Sequence, residues 1–172
     1  MSWTSPKTWS VAEKVTAALL NTHVRDNLDA AAGANKAACR VYKSTAFSHT
    51  SSGNFLDATF DSERFDTQGL HSTSSLTNRI TIPSGWAGLW MIGGEADWAA
   101  NATGLRSTRL LVNNTAIIAI QSNGLRSDNI NEQSVCTIYR LAVADYVTLS
   151  IYQSSGGTLA ATCEFWAVWL GA

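Results

Sequence analysis

The chain has 172 residues, of which 45% are hydrophobic and only 15% are charged, and its formal net charge is −1. This length supports one well-cored domain with an appendage. The sequence has no basic cluster, which argues against nucleic-acid binding, because phosphate neutralisation requires grouped Lys and Arg. No run of 18 apolar residues is present, and the N-terminus lacks the charged start and apolar middle of a signal peptide. Neither membrane insertion nor secretion by that route is therefore expected.

The three cysteines are Cys39, Cys136 and Cys163, which are widely spaced. Without a Cys-x-x-Cys pair, the sequence predicts neither a zinc site nor a redox motif. We interpret them as buried free thiols that pack as small hydrophobic side chains. A Cys136–Cys163 bridge across neighbouring strands is the alternative.

Residues 1–15 are predicted to form an extended arm. Trp3 and Trp9 flank Pro6, and the proline disfavours a helix at the residue before it. Two tryptophans on an extended arm would be costly in water, so we expect them to be docked. The partner is either another protein of an assembly or the chain's own domain.

A helix follows the arm, and two starts compete for it. Ser10 and Glu13 have the spacing of a capping box, whereas Thr16 is a plain N-cap before an Ala-Ala-Leu-Leu run. We prefer Thr16, because the residues just before it are weak helix formers. The helix is predicted to continue to about Ala32 and to end at Gly33.

One stripe of this helix is apolar, because Leu20, Val24 and Leu28 are spaced four residues apart. A helix of about 16 residues is marginal alone in water. It therefore requires a partner, either two sister helices around an axis or a larger host surface. We place a domain boundary after the bland segment that follows, which gives an N-terminal arm and helix at 1–38 and a second domain at 39–172.

The second domain has strand character throughout. The predicted strands are Arg40–Thr45, Phe55–Phe60, Arg79–Ile82, Gly88–Trp98, Arg106–Val112, Thr115–Ile120, Ser134–Leu141, Tyr146–Gln153 and Cys163–Leu170. The polar stretches predicted as loops are Ser48–Gly53, Asp61–Ser75 and Ser122–Gln133. Asn113 and Asn114 are typical of a two-residue hairpin turn with positive φ. Short strands at regular spacing without a helical pattern predict an antiparallel β-sandwich.

The last predicted strand is apolar on both faces. Phe165, Ala167 and Trp169 fall on one face, and Trp166, Val168 and Leu170 fall on the other. A sandwich of two sheets covers only one face of each strand, whereas a strand that is apolar on both faces requires burial on both. We therefore predict that the second face meets another subunit. Cover by a loop or by the N-terminal segment of the same chain is the alternative.

The sequence carries little sign of catalysis. It has no Gly-x-Ser-x-Gly motif, and its three histidines share no ligand spacing. The carboxylates between Asp57 and Asp66 are interpreted as a solvated loop, with a calcium-stabilised loop as the alternative. Glu95 and Asp97 share one face of a strand, so a glycosidase that uses them as a carboxylate pair is a further alternative. We predict no catalytic residue, metal or cofactor.

One stretch, TWSVAEKVTAALLNTHVRDNL, resembles the N-terminal segment of many tailed-bacteriophage structural proteins. The matching residues are Trp9, Glu13, Val15, Thr16, Ala17, Ala18, Asn21, Val24, Arg25, Asp26, Asn27 and Leu28. Members of that group often have Gly-Glu where this chain has Ala12-Glu13. The resemblance implies attachment to a phage capsid, portal, collar or tail protein. The residues assigned to virion attachment are Trp3, Trp9, Leu20, Val24, Arg25, Asp26 and Leu28.

A second stretch, from Arg79 to Ala172, is similar to the trimeric jelly roll of complement globular heads and tumour-necrosis-factor ligands. The residues that carry this are Ile80–Pro83, Trp86–Trp90, Arg109–Asn114, Leu141–Val147 and Phe165–Leu170. That family usually has glycine where this chain has Ala144. Its C-terminal strand lies near a threefold axis, so the resemblance implies a homotrimer. The residues assigned to the trimer interface are Tyr146, Tyr152, Phe165, Trp166 and Trp169.

Together these observations predict a mainly β protein, an antiparallel jelly-roll sandwich preceded by an extended arm and one α-helix. The predicted function is that of a non-enzymatic virion protein, assembled in the bacterial cytoplasm as a trimeric head decoration, head fibre or tail fibre tip. Its polar loops would be presented to solvent, with a host surface glycan as a further candidate partner. A free-standing carbohydrate- or receptor-binding module and a capsule-degrading glycosidase are the alternatives.

Overall fold

The computed structural model describes residues 4–31, 36–50, 52–123 and 131–172. In these ranges a short N-terminal helix comes first in the chain, and two antiparallel sheets that pack face to face follow it. This confirms the predicted fold class. The strands are β1 Ala38–Tyr42, β2 Phe47–His49, β3 Phe55–Asp57, β4 Ser62–Asp66, β5 Arg79–Thr81, β6 Gly88–Trp98, β7 Arg106–Val112, β8 Ala116–Asn123, β9 Asn131–Leu141, β10 Tyr146–Gln153 and β11 Leu159–Gly171.

The eleven described strands are divided between two sheets. Sheet A has the order β4-β1-β11-β6-β9, with β2 also paired to β11, and sheet B has the order β3-β10-β7-β8, with β5 also paired to β10. The C-terminal strand β11 therefore lies in the middle of sheet A. It pairs with β6 from Ala161 opposite Trp98 to Gly171 opposite Leu89.

The core lies between the sheets, and the period-two pattern of the strands determines which side chains enter it. On β6 the inward positions are Trp90, Ile92, Ala96 and Trp98. Three of the buried tryptophans donate their indole N–H to an acceptor, as is usual for buried tryptophan. Trp90 donates to Trp86 O at 3.0 Å, and Trp169 donates to Ala87 O at 3.2 Å.

The N-terminal helix has three parts. They are α1 Ala17–Leu20, a π-helical turn Asn21–Arg25, and α2 Asp26–Ala31. The predicted N-cap is confirmed, because Thr16 Oγ1 accepts a hydrogen bond from the Leu19 N–H at 3.3 Å. The predicted end at Ala32 and Gly33 lies outside the described residues. The π-helical turn was not predicted. None of the helices in the described ranges is long and apolar enough to cross a bilayer.

The competing start, Ser10, forms a turn instead of a helix cap. The Ser10 N–H donates to the Glu13 carboxylate at 3.1 Å, and the Glu13 N–H donates to Ser10 O at 3.1 Å. Ala12 occupies the third position of this turn with a φ of 64°. The capping-box residues are therefore engaged with each other ahead of the helix.

Some predicted boundaries are corrected by the structure. The predicted strand Phe55–Phe60 is a strand only at β3, and β2 and β4 lie partly or wholly in segments predicted as loops. The reason for missing β4 is that it is an edge strand whose three middle residues are all exposed. Such a strand has no buried face, so its sequence, SERFD, shows no apolar alternation.

The hairpin prediction at Asn113 and Asn114 is confirmed. Both residues have positive φ, 51° and 54°, in a turn closed by the Thr115 N–H donating to Val112 O at 3.0 Å. Asparagine tolerates this conformation better than most residues, which explains why the pair could be recognised from sequence alone.

Ala144 stores backbone strain in the turn before β10. Its φ is 69°, and its N–H donates to Ile82 O at 2.9 Å. An L-residue in this region costs roughly 1–2 kcal/mol, which glycine avoids at some cost in chain entropy. We expect Ala144→Gly to raise the free energy of unfolding by about 0.5–1 kcal/mol in urea denaturation. Ala142→Gly, in the same turn without positive φ, should lower it, and a loss of stability in Ala144→Gly would contradict the proposed strain.

Candidate functional site

The outward side of β11 is left incompletely covered by its own chain. Phe165, Ala167 and Trp169 point into the core, whereas Trp166 and Val168 are half-buried and Leu170 is 40% exposed. The predicted alternation is therefore confirmed. Cover of this face by a loop or by the N-terminal segment is not seen among the described residues.

Side chains from neighbouring strands extend this face into one surface, which we call the apolar patch. Its members are Phe65, Met91, Ile138, Trp166, Val168 and Leu170. Cross-strand pairing makes it continuous, because Val168 lies opposite Met91, which in turn lies opposite Ile138. Phe65 and Trp166 both lie opposite Arg40, one on each side of β1. A groove of about 460 Å³ is lined by Phe65, Trp166 and Val168 of this patch. A contiguous apolar surface of this kind is typical of an interaction site.

Trp166 lies flat on the sheet because its neighbour on β6 is a glycine. A Cβ placed on Gly93 would lie 2.5 Å from the Trp166 ring, closer than any real contact. Gly93 and Trp166 are directly opposite each other in the β6–β11 register. The glycine therefore makes room for the indole to lie across the strand and present its face outward.

We expect Gly93→Ala to displace the Trp166 indole from the sheet. The clash is with a ring that has little freedom to move, so the free energy of unfolding should fall by about 1–3 kcal/mol. Tryptophan fluorescence and near-ultraviolet circular dichroism would report the displaced ring. Gly171→Ala is the matched control, because a Cβ there meets open space. Identical spectra for Gly93→Ala and the native chain would contradict this packing.

Charged side chains border the apolar patch on one side. Glu164 accepts hydrogen bonds from Arg64 Nε at 3.0 Å and from Arg40 Nε at 2.6 Å. These two guanidinium groups, Arg64 first, lower the pKa of Glu164. The Arg40 guanidinium also lies 5.7 Å from the centre of the Trp166 ring, within cation–π range. The border thus fixes the arginine side chains beside the indole.

An acidic groove of about 480 Å³ lies on the same side of sheet A and contains Glu95, Asp97 and Glu132. Burial, followed by the charges of Glu164 and Asp97, raises the pKa of Glu95. Burial, followed by the charge of Glu132, raises the pKa of Asp97. The predicted carboxylate pair therefore shares one face, and both of its members are shifted toward the protonated form.

The five residues assigned to a trimer interface lie in three different places. Phe165 and Trp169 are in the core of their own chain, so neither can be reached by a partner chain. Tyr146 and Tyr152 lie on β10 in sheet B, on the other side of the sandwich. Trp166 alone belongs to the apolar patch. The inward direction of Phe165 and Trp169 follows from strand alternation, which the sequence shows without indicating which face is the core.

Five of the six members of the apolar patch, all except Trp166, were not among the predicted interface residues. Met91 and Ile138 lie on strands that were predicted. Phe65 fell in a stretch predicted as a loop. The missing information was the register between strands, which brings these residues beside Trp166.

The residues assigned to virion attachment are largely exposed. Trp9 is 40% exposed, with the Lys7 ammonium 5.5 Å from its ring, and the stripe of Leu20, Val24 and Leu28 is exposed along the helix. Arg25 and Asp26 form an ion pair with each other at 2.8 Å. Trp3 lies outside the described residues. The apolar stripe of the helix is therefore available to a partner.

Asn27 ties the arm to the helix, a role that was not predicted. Its amide oxygen accepts from the Thr4 N–H at 3.0 Å, and its amide nitrogen donates to Thr4 O at 2.8 Å and to His23 O at 3.2 Å. The side chain is 7% exposed. This reciprocal pairing holds the arm alongside the helix.

The carboxylates between Asp57 and Asp66 are directed to different partners. Asp61 forms an ion pair with Lys43 at 2.9 Å, Glu63 contacts His71 Nδ1 at 3.0 Å, and Asp66 accepts from the His71 N–H at 2.9 Å. Across the described parts of the chain, no group of three or more His, Cys, Asp or Glu is placed to hold a metal ion. The geometry therefore gives no support to the calcium alternative.

All three cysteines are free thiols. Cys39 and Cys163 are buried, and burial raises the pKa of Cys163 to about 12. Cys136 is exposed on the outward face of sheet A, whereas Cys163 points into the core. The alternative Cys136–Cys163 bridge is therefore excluded, and the buried-thiol interpretation fits two of the three residues.

Comparison with known proteins supports the fold independently. No protein-family model and no curated protein matches the chain. Among solved structures, murine APRIL at pH 5.0 is similar, with 12% identity and a TM-score of 0.57 over 78% of this chain and 99% of that one. The globular domain of zebrafish complement 1qA protein has 16% identity and a TM-score of 0.56 over 79% and 98% of the two chains. The β-sandwich is thus a jelly roll of the complement and tumour-necrosis-factor type.

Proposed function

We propose that this chain is a non-enzymatic structural protein of a tailed-bacteriophage particle. In this proposal three copies associate through the apolar patch, and the N-terminal segment attaches the trimer to the virion. The patch carries the proposal, because Met91, Ile138 and Leu170 are exposed around the half-buried Trp166 on one face of sheet A. The trimer would serve as a head decoration, head fibre or tail fibre tip, after assembly in the bacterial cytoplasm.

A threefold arrangement requires a second, different surface, because a ring is built from head-to-tail contacts. The chain offers one at β8, an end strand of sheet B in which Ile117 and Ile120 are each more than half exposed. Packing of this edge against the apolar patch of the next copy would cover both. The likeness to trimeric jelly rolls noted in the sequence supports the same arrangement.

The attachment role of residues 1–38 is supported by the phage-like motif and by the exposed helix stripe. Asn27 fixes the arm against the helix, so the stripe of Leu20, Val24 and Leu28 is presented in one orientation. Such preorganisation reduces the entropy lost on docking. The partner is a capsid, portal, collar or tail protein, and a host surface glycan is a candidate ligand for the exposed loops.

The test compares the full chain with a chain that lacks residues 1–35, which keeps the core residue Ala37 and the whole of β1. Multi-angle light scattering should give a trimer mass for both, whereas only the full chain should bind phage particles in a sedimentation assay. A monomeric full chain would overturn the trimer. Particle binding by the shortened chain would overturn the attachment role without affecting the trimer.

Two other functions make different predictions. A free-standing carbohydrate- or receptor-binding module would not bind particles at all, and residues 1–38 would be dispensable. A glycosidase is favoured by the raised pKa values of Glu95 and Asp97, since a general acid must hold its proton near neutral pH. It predicts capsule cleavage that Glu95→Gln or Asp97→Asn abolishes, whereas we expect no cleavage by the native chain.

A further inference from the structure

A small cavity lies at the edge of sheet B, where the loop before β5 meets that strand. The cavity has a volume of about 160 Å³. Its lining residues are Gly69, Leu70, His71, Ser72, Ser75, Leu76, Arg79 and Thr81. We call it the Arg79 pocket. None of these residues carries a carboxylate, so the only full positive charge in the lining, that of Arg79, has no counter-ion within the pocket.

The Arg79 guanidinium lies against an aromatic ring but has no hydrogen-bond or ion-pair partner among the described residues. Its guanidinium lies 4.5 Å from the centre of the Tyr146 ring, which explains its orientation. Its Nε is buried and has no hydrogen-bond partner. Across the described ranges, the guanidinium forms neither an ion pair nor a hydrogen bond. A partly buried cation is costly unless an anion or hydrogen-bond acceptor compensates it.

Three carboxylates on the surrounding elements have partners other than Arg79. Glu63 contacts His71 Nδ1 at 3.0 Å. Asp57 accepts hydrogen bonds from the Ser150 hydroxyl and from Asn78 Nδ2. Asp145 accepts from Asn113 Nδ2 and from the Ala142 N–H, both at 2.8 Å. Each of these carboxylates therefore accepts from donors other than Arg79, and none of them neutralises the Arg79 guanidinium.

The serine loop adds neutral donors beside the guanidinium. Ser72 Oγ lies 3.3 Å from Ser75 Oγ and accepts the Ser75 N–H at 3.2 Å. Because hydroxyl hydrogens rotate freely, the serines can turn a donor toward a bound acceptor. A planar guanidinium beside rotatable hydroxyls, in a cavity of this size, matches one small oxyanion group better than a neutral or cationic one.

We propose that the Arg79 pocket binds the oxyanion group, carboxylate or sulfate, of a small acidic ligand. The two terminal nitrogens of Arg79 donate to the anion, and Tyr146 holds the guanidinium in place from the other side. The site does not depend on trimer formation or on virion attachment. A free inorganic anion and an acidic sugar share this chemistry, and the experiment distinguishes them.

The test is isothermal titration of the full chain with sodium sulfate, sodium glucuronate and glucose at low ionic strength. We expect binding of one or both anions, loss of affinity as salt is added, and no binding of glucose. Arg79→Gln should weaken anion binding at least about tenfold. Sulfate binding alone would identify an inorganic anion, and glucuronate binding without sulfate would identify an acidic sugar.

Arg109→Gln is the matched control. Its guanidinium also lies on an aromatic ring, 3.7 Å from the centre of Phe55, but it does not line the pocket. We expect this variant to bind anions like the native chain. The proposal is overturned if neither anion binds, if glucose binds as well as glucuronate, or if Arg79→Gln and Arg109→Gln weaken binding equally. Arg79→Lys keeps the charge and should retain partial affinity, which separates a lost contact from a misfolded pocket.

Discussion

Trp166→Asp is expected to convert the proposed trimer into a folded monomer. Burial of one indole contributes about 2–3 kcal/mol per contact, and an aspartate in its place would have to be desolvated without a partner. Because the ring lies over Gly93 on the outward face, its loss leaves the core between the sheets intact. Light scattering should show the mass of one chain, with a circular dichroism spectrum like that of the native chain.

Two further variants sharpen this result. Ile138→Asp changes a more exposed member of the apolar patch, so it should weaken the trimer with less effect on the monomer. Leu76→Asp places the same charge at a similarly exposed leucine in a loop on sheet B, and the trimer should persist. Trimers that survive both patch variants would show that the contact lies elsewhere.

The sequence predicted the two-faced character of β11 because alternation is a local property. Alternation separates Phe165 from Trp166 but does not indicate which of the two faces the core. That choice depends on the opposite sheet, whose strands are distant in sequence. The same limit explains why Met91 and Ile138 were missed, since only the register of β6 with β9 and β11 brings them to the patch.

At two positions this chain has alanine where the families that it resembles in sequence commonly have glycine, and the two positions share one backbone conformation. Ala12 replaces the glycine that is frequent in the phage-like segment, and Ala144 replaces the glycine that is usual in the jelly-roll turn. Both alanines have positive φ, 64° and 69°. Glycine is the residue that adopts this conformation at least cost. The backbone at both positions is therefore the one that a glycine would favour, although the sequence has alanine.

Other features had no local signal. The π-helical turn at Asn21–Arg25 lies within a continuous helical pattern, and its carbonyl at His23 is taken up by Asn27. The Arg79 pocket forms where a serine-rich loop meets the edge of sheet B. Most of its lining residues have only the polar sequence pattern of a loop. Features that depend on tertiary contacts among polar residues therefore could not be predicted from the sequence. Helix caps, turns and apolar alternation could be predicted, because their signals are local.

Phe165→Ala is expected to have the opposite effect to Trp166→Asp, although the two residues are adjacent. Phe165 is fully buried, and its ring lies 5.7 Å from that of Phe60 in the core. Truncation of a buried phenylalanine typically costs about 3–5 kcal/mol, from lost transfer energy and the cavity left behind. The free energy of unfolding should fall by this amount in urea denaturation.

The Phe165 measurement is best made in the Trp166→Asp background, because unfolding of a monomer is not coupled to assembly. Phe165→Leu provides a milder variant that should fold and lose stability in the same direction. If Phe165→Ala cost less than about 1 kcal/mol, or if Trp166→Asp alone destabilised the monomer as strongly, the division of β11 into a core face and an assembly face would fail. That division determines whether β11 can stabilise the core with one face and the assembly with the other, because a change on one face must then leave the role of the other face intact.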